Sequence, residues 1–169
     1  MSSQSIAPIL IFGYGNPSRG DDALGPMLLE QISTDSKVEL LTDFQLQVEH
    51  TLDMVGRKLI LFVDASVSSP LPFQFQPLTV PAPKTANAYT THELAPEVLL
   101  ATYNDVHHQK APPCFLLSIR GERFELGTPL SASAQTDLQL AVKWVERLLL
   151  TPDLQAWNRL SREAAEIAA

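Results

Sequence analysis

Four side chains in this sequence have the chemistry of a cation site: the adjacent carboxylates Asp21 and Asp22, the carboxylate of Asp64 and the imidazole of His92. Two carboxylates and an imidazole suit a borderline divalent ion such as zinc or nickel, and leave coordination positions open for water or a substrate atom. Such an ion lowers the pKa of bound water or receives a donor from a partner protein. Each residue alone also has a plainer reading. One of Asp21 and Asp22 fits the N-cap of the helix that follows. Asp64 fits a turn former ahead of Ser66, and His92, in a first helical turn, fits a surface position. The trio says more than its members, because all three fall where one rim of a sheet would gather them.

The elements that must do the gathering follow from the apolar pattern. Ile9-Leu10-Ile11-Phe12 reads as a buried strand, about Pro8–Tyr14, that breaks at Gly13-Tyr14-Gly15 into a polar loop. A helix over about Ala23–Ser33 follows, with Leu24, Met27, Leu28 and Ile32 at helical spacing. Val38–Thr42 reads as a second strand, and Val48–Val55 as a short helix closed by Gly56. Leu59–Val63 is apolar on both faces, as a central parallel strand is, and ends on Asp64. Phe73 and Phe75 alternate with Gln74 and Gln76, the pattern of an edge or antiparallel strand. Thr90-x-x-Glu93 fits a capping box and predicts a helix from there to about Tyr103. Asn104–Pro113 reads as a polar loop, Cys114–Ile119 as a strand, and Leu130-Ser131 introduces the longest helix, ended by Pro152. A tail helix covers about Asp153–Ala168. Alternating strands and helices define a three-layer α/β domain with a mostly parallel sheet and one antiparallel strand. An aspartate at the carboxyl end of a parallel strand shares its rim with the glycine loop, which is where open α/β sheets bind ligands.

Several other chemistries are excluded. Gly13, Gly15 and Gly20 do not give the dinucleotide spacing, because position 18 is Ser18, and no Gly-Lys-Ser/Thr follows. No Gly-x-Ser-x-Gly elbow supports a serine hydrolase. The single cysteine, Cys114, lies in an apolar strand and reads as a core thiol. His107-His108 sit in the expected polar loop and read as solvent-exposed. The 169 residues suit one domain, and the net charge of −7 argues against nucleic acid or an anionic membrane as partner. No run of about 20 apolar residues suggests a membrane span. The opening Met1-Ser2-Ser3-Gln4-Ser5 does not read as a basic and then apolar leader, so the cytoplasm is the expected location.

The same residues carry a family likeness. Gly13–Pro26, G-Y-G-N-P-S-R-G-D-D-A-L-G-P, closely resembles the first motif of the nickel–iron hydrogenase maturation endopeptidases, which trim the C-terminal extension from the hydrogenase large-subunit precursor. Phe62–Ala65 resembles their second motif, Thr91–Leu94 the region of their metal histidine, and Gly127–Ser131 their closing segment. The likeness spans about Ile9 to Leu150. It implies a twisted five-stranded sheet between helices; the tail helix over 152–169, which the core family does not need, reads as a packing helix or a subtype-specific contact surface within a single domain over 1–169. It implies Asp22, Asp64 and His92 as metal-contacting residues, with Asp21 beside them. It also implies that the nickel is supplied by the substrate large subunit; zinc or cadmium is able to occupy such a site in vitro. Where many relatives carry Asp-Gly-Gly, this chain reads Thr42-Asp43-Phe44-Gln45-Leu46. Asp43 takes the aspartate's place, and Asp21 and Asp43 are the carboxylates available to activate the attacking water. Gln45 and Glu49 are the expected substrate-binding residues, and their wording is most similar to the branch serving cytoplasmic NAD-linked hydrogenases. A non-catalytic chaperone for the metallated subunit and a small stand-alone metallohydrolase are the other functions open to the same residues.

Overall fold

The computed structural model describes residues 5–81 and 94–168. In it the chain runs β1 (Ile9–Tyr14), a 3-10 turn (Gly20–Ala23), α1 (Leu24–Gln31), β2 (Val38–Asp43), a second 3-10 turn (Val48–His50) and α2 (Thr51–Met54). There follow β3 (Leu59–Ser66), β4 (Phe73–Pro77), α3 (Pro96–His107), β5 (Cys114–Arg120), α4 (Ala132–Leu150) and α5 (Leu154–Ala168). The strands form one sheet in the order β2-β1-β3-β5-β4, with β4 antiparallel on its edge and the other pairings parallel.

Strand alternation splits the core in two. Ile9, Ile11, Leu61, Val63, Leu117 and Ile119 face one side, where Leu24 and Leu28 of α1, Leu138 and Val145 of α4 and Trp157 of α5 cover them. Leu10, Phe12, Ile60 and Phe62 face the other, against Met54 of α2 and Leu99, Leu100 and Tyr103 of α3. Helices thus cover both faces, as expected of a sheet whose central strands are apolar throughout. The connection from β1 leads to β2 on one side, whereas the chain returns past β1 to β3 on the other. The strand order therefore reverses between β1 and β3, and their carboxyl ends flank the crevice where such sheets hold ligands.

Close packing of α1 on the sheet depends on glycine. A Cβ on Gly25 would lie 2.7 Å from the Val63 carbonyl oxygen and 2.8 Å from that of Tyr14, so only a residue without one lets the helix approach.

Two boundaries differ from the sequence reading. The helix expected from Thr90 starts at Pro96, with Ala95 extended at its N-cap; proline suits this first position because its missing N–H has no partner to lose there. The Thr90–Glu93 capping box itself lies outside the described residues. The expected loop after Tyr103 is helical through His107, until His108 adopts a left-handed conformation (φ 51°) and ends the helix. His107 consequently stacks on Tyr103 with ring centroids 4.5 Å apart rather than facing water, while His108 is exposed. Cys114 is buried as expected, and burial pushes its thiol pKa up to about 12.

Candidate active-site cleft

The loop from β1 to α1 is folded by its own polar groups. The Arg19 amide donates to the Asn16 carbonyl at 3.1 Å, and the Asp22 amide donates to that of Arg19 at 3.0 Å. Asp22 Oδ2 in turn accepts from the Asn16 amide at 2.7 Å. Gly15 lies so close to the Asp22 carbonyl that a side chain there would overlap it, and its φ of +144° disfavours any other residue. The loop therefore turns Asp22 back over the end of β1.

Neither aspartate caps a helix: the 3-10 turn and α1 both start without a side-chain cap. The two neighbours point to different places. Asp21 is fully buried and accepts from the amides of Glu122 (2.8 Å), Arg123 (3.1 Å) and Ser131 (2.8 Å) and from the Ser131 hydroxyl (2.7 Å). Burial pushes its pKa up, but these four bonds outweigh it and hold the carboxyl below its ordinary 3.8. Asp21, expected as a catalytic carboxylate, is placed outside the cleft lining, and its oxygens tie the segment after β5 and the start of α4 to the first loop.

Asp22 and Asp64, in contrast, line one cleft of about 200 Å³ together with Tyr14, Gly15, Phe44, Gln45, Leu46 and the Leu94–Pro96 approach to α3. Asp64 closes the apolar part of β3, with Oδ1 accepting from the Ala65 amide at 2.8 Å. The cleft has a pair of carboxylates, one from the 3-10 turn after β1 and one from the end of the adjacent β3, a donor set that fits a divalent cation. Among the described residues no group of three His, Cys, Asp or Glu is arranged to hold a metal ion; His92, the expected third ligand, lies outside them.

Of the remaining expected residues, Gln45 belongs to the cleft lining and Asp43 precedes that wall at the end of β2. The parallel register sets Asp43 opposite Tyr14 and Val63 opposite Gly13, so Tyr14 comes level with Asp64. Equivalent positions of neighbouring parallel strands share a face, which puts Asp43, Tyr14 and Asp64 in a row on the α2/α3 side. Asp43 Oδ1 accepts from the Phe44 amide at 2.7 Å, and its carbonyl accepts from the Gly15 amide at 3.0 Å. Gln45 lines the cleft, whereas Glu49 is exposed on the 3-10 turn and stands apart from the cleft lining. One residue the sequence reading did not single out is His50, whose Nε2 lies 3.1 Å from Asp43 Oδ2. Its only sequence signal is the Gln47-Val48-Glu49-His50 spacing of a capping box, which the structure contains.

Fold and cleft together define a three-layer α/β protein with a carboxylate-lined crevice at the switch point of its sheet. Its fold is that of the hydrogenase maturation proteases. It matches the hydrogenase maturating endopeptidase HybD from E. coli with a TM-score of 0.65 at 20% identity, over 85% of this chain and 93% of that one. It matches the NiFe hydrogenase maturation protease HycI from Thermococcus kodakarensis with a TM-score of 0.66 at 19% identity, over 86% and 94%. A hydrogenase 2 maturation peptidase from a Thaumarchaeota archaeon gives 0.58 at 21% identity, over 83% and 97%. Neither a protein-family model nor a curated protein matches the sequence.

Proposed function

We propose that this chain is an endopeptidase that removes the C-terminal extension from the nickel-loaded large-subunit precursor of a nickel–iron hydrogenase, as the last step of maturation. The observation that carries this reading is the convergence of Asp22 and Asp64 on one cleft at the β1/β3 switch point, within a fold shared with hydrogenase maturation endopeptidases. In this reading the nickel belongs to the substrate. Asp22 and Asp64, with His92, hold it and so fix the neighbouring scissile peptide against the cleft wall formed by Phe44, Gln45 and Leu46. Asp43, at the edge of that wall, accepts the proton of the attacking water. Gln45 and the more distant Glu49 contact the substrate chain around it.

The Gln45-Leu46 wording supports a hydrogenase of the cytoplasmic NAD-linked kind as the one served. A cytoplasmic location agrees with this, and no helix among the described residues is long and apolar enough to cross a membrane. The test is to incubate the protein with nickel-loaded and nickel-free precursor and to weigh the large subunit by mass spectrometry. Truncation of the loaded form alone is expected. A stable complex of unchanged mass would make the protein a chaperone, and truncation of both forms would remove nickel from the recognition step.

A further inference from the structure

We propose that His50 is a positioning residue for this site, a clamp that orients the Asp43 carboxylate and the cleft wall with one ring; the catalytic part of this inference rests on the processing activity proposed above. The His50 side chain is 10% exposed, far more buried than the Asp43 side chain it meets, which is 41% exposed. Its Nδ1 receives the Gln47 amide proton at 2.8 Å. A backbone amide only donates, so Nδ1 is the acceptor and Nε2 carries the proton that is given to Asp43 Oδ2 at 3.1 Å. The ring also packs edge-on against Phe12 with centroids 4.6 Å apart, a contact that favours this orientation.

The consequence lies in what the ring spans. Its two nitrogens grip Asp43 and Gln47, and the residues between them, Phe44, Gln45 and Leu46, form one wall of the cleft. Asp43 is thereby held at three points: by His50, by the Phe44 amide on its other oxygen and by the Gly15 amide on its carbonyl. A carboxylate has about four lone-pair positions, so one fixed in this way still has acceptor capacity for a water on its exposed side. The imidazole moves no proton in this arrangement. It removes the rotational freedom of a base that acts on one water, and misplacement by about 1 Å costs on the order of a hundredfold in rate.

Two substitutions separate the two bonds. His50→Asn keeps an acceptor near the Nδ1 position and loses the donor to Asp43. His50→Gln keeps an amide donor near Nε2 and loses the acceptor for Gln47. For cleavage of nickel-loaded precursor, His50→Asn is expected to lower kcat by about tenfold to a hundredfold with little change in KM. His50→Gln should keep kcat within a few-fold and raise KM through the loosened wall, and His50→Asn should add nothing to Asp43→Ala. Unchanged kcat in folded His50→Asn, or equal losses in both variants, overturns the positioning role. The ring nitrogens give a readout without activity: in 15N NMR of the wild-type chain, His50 should show protonated Nε2 and bare Nδ1, and the Nε2 signal should move in Asp43→Ala. The opposite tautomer sinks the clamp even if the variants do not fold. Failure of the wild-type chain to cut precursor sinks the processing activity and leaves the NMR test of the clamp standing.

Discussion

Asp21 and Ser131 lie 110 positions apart and meet through two hydrogen bonds, from the Ser131 amide to Oδ1 at 2.8 Å and from its hydroxyl to Oδ2 at 2.7 Å. Ser131 is also the N-cap of α4, its Oγ accepting from the Ala134 amide at 3.2 Å. The carboxylate immediately before the cleft aspartate therefore anchors the longest helix of the fold. The same bonds hold the 3-10 turn that carries Asp22 against the start of α4.

Removing that anchor should cost stability. Asp21→Ala leaves the buried amide of Ser131 and the partly buried amides of Glu122 and Arg123 without their acceptor. Each unsatisfied buried donor costs about 1–3 kcal/mol. A loss on the order of 3 kcal/mol or more in urea denaturation is expected. The pH dependence has a definite sign: the folded carboxyl lies below its ordinary 3.8, so its contribution is fully present above that value. It is lost as pH falls through the folded pKa. Asp21→Asn should therefore flatten the acid limb of the stability curve, and an unchanged limb would show that the carboxylate is not responsible.

The sequence shows where the carboxylates cluster but not how they divide. The strand–glycine–helix pattern and the apolar β3 make the parallel sheet and its ligand rim legible, since periodicity and burial report directly on apolar side chains. Asp21 and Asp22 are the same residue type at consecutive positions. What separates them is a set of donors at Glu122, Arg123 and Ser131, about a hundred positions away, and no local pattern encodes that contact. His50 is hidden for a similar reason: its partner Asp43 belongs to another element, and only the strand register brings the pair together. The start of α3 at Pro96 is not legible locally, because the capping-box pattern at Thr90 satisfies local rules as well as Pro96 does.

The cleft aspartates should behave in the opposite way to Asp21. Asp22 accepts the Asn16 amide within its own loop, and Asp64 lies near the end of a strand rather than in the core. Asp22→Ala and Asp64→Ala are expected to reduce precursor cleavage by about a hundredfold or more, the scale of losing one preorganised electrostatic group. Circular dichroism should remain native, and stability should fall by no more than about 1 kcal/mol. Cleavage at the wild-type rate in either variant would remove that carboxylate from the site.

A third carboxylate works against the fold. Asp137 of α4 is 7% exposed, and among the described residues its buried Oδ2 has no hydrogen-bond partner, nor does Nε of the neighbouring Arg120. Burial first, then repulsion from Glu122, raises its pKa, and Arg120 offsets this only in part. A raised carboxyl destabilises the fold once pH exceeds the unfolded value, and its cost vanishes below that value. Asp137→Asn should therefore raise the melting temperature at pH 7 and have little effect near pH 3. A domain of this size gains about 2–4 °C per kcal/mol. A lower melting temperature at pH 7 would mean that the carboxylate has a partner worth keeping.

The tail after Pro152 is structural, and its removal should unfold the chain rather than merely trim a surface. Trp157 of α5 is fully buried. Its ring meets Phe115 of β5 edge-on at 5.5 Å and Phe75 of β4 at 6.4 Å, and its Nε1 donates to the Leu148 carbonyl of α4 at 3.0 Å. One side chain thus joins the last helix to the antiparallel edge, the neighbouring strand and the end of α4. Trp157→Ala removes a large apolar surface and leaves the Leu148 carbonyl without this donor, a change that typically costs about 3–5 kcal/mol. Trp157→Phe keeps the ring packing and loses the hydrogen bond, so it should cost about 1–2 kcal/mol. Chemical denaturation of the two variants should separate them in that order. Equal and small losses would show that α5 is dispensable to the core and leave its surface as the reason for its presence.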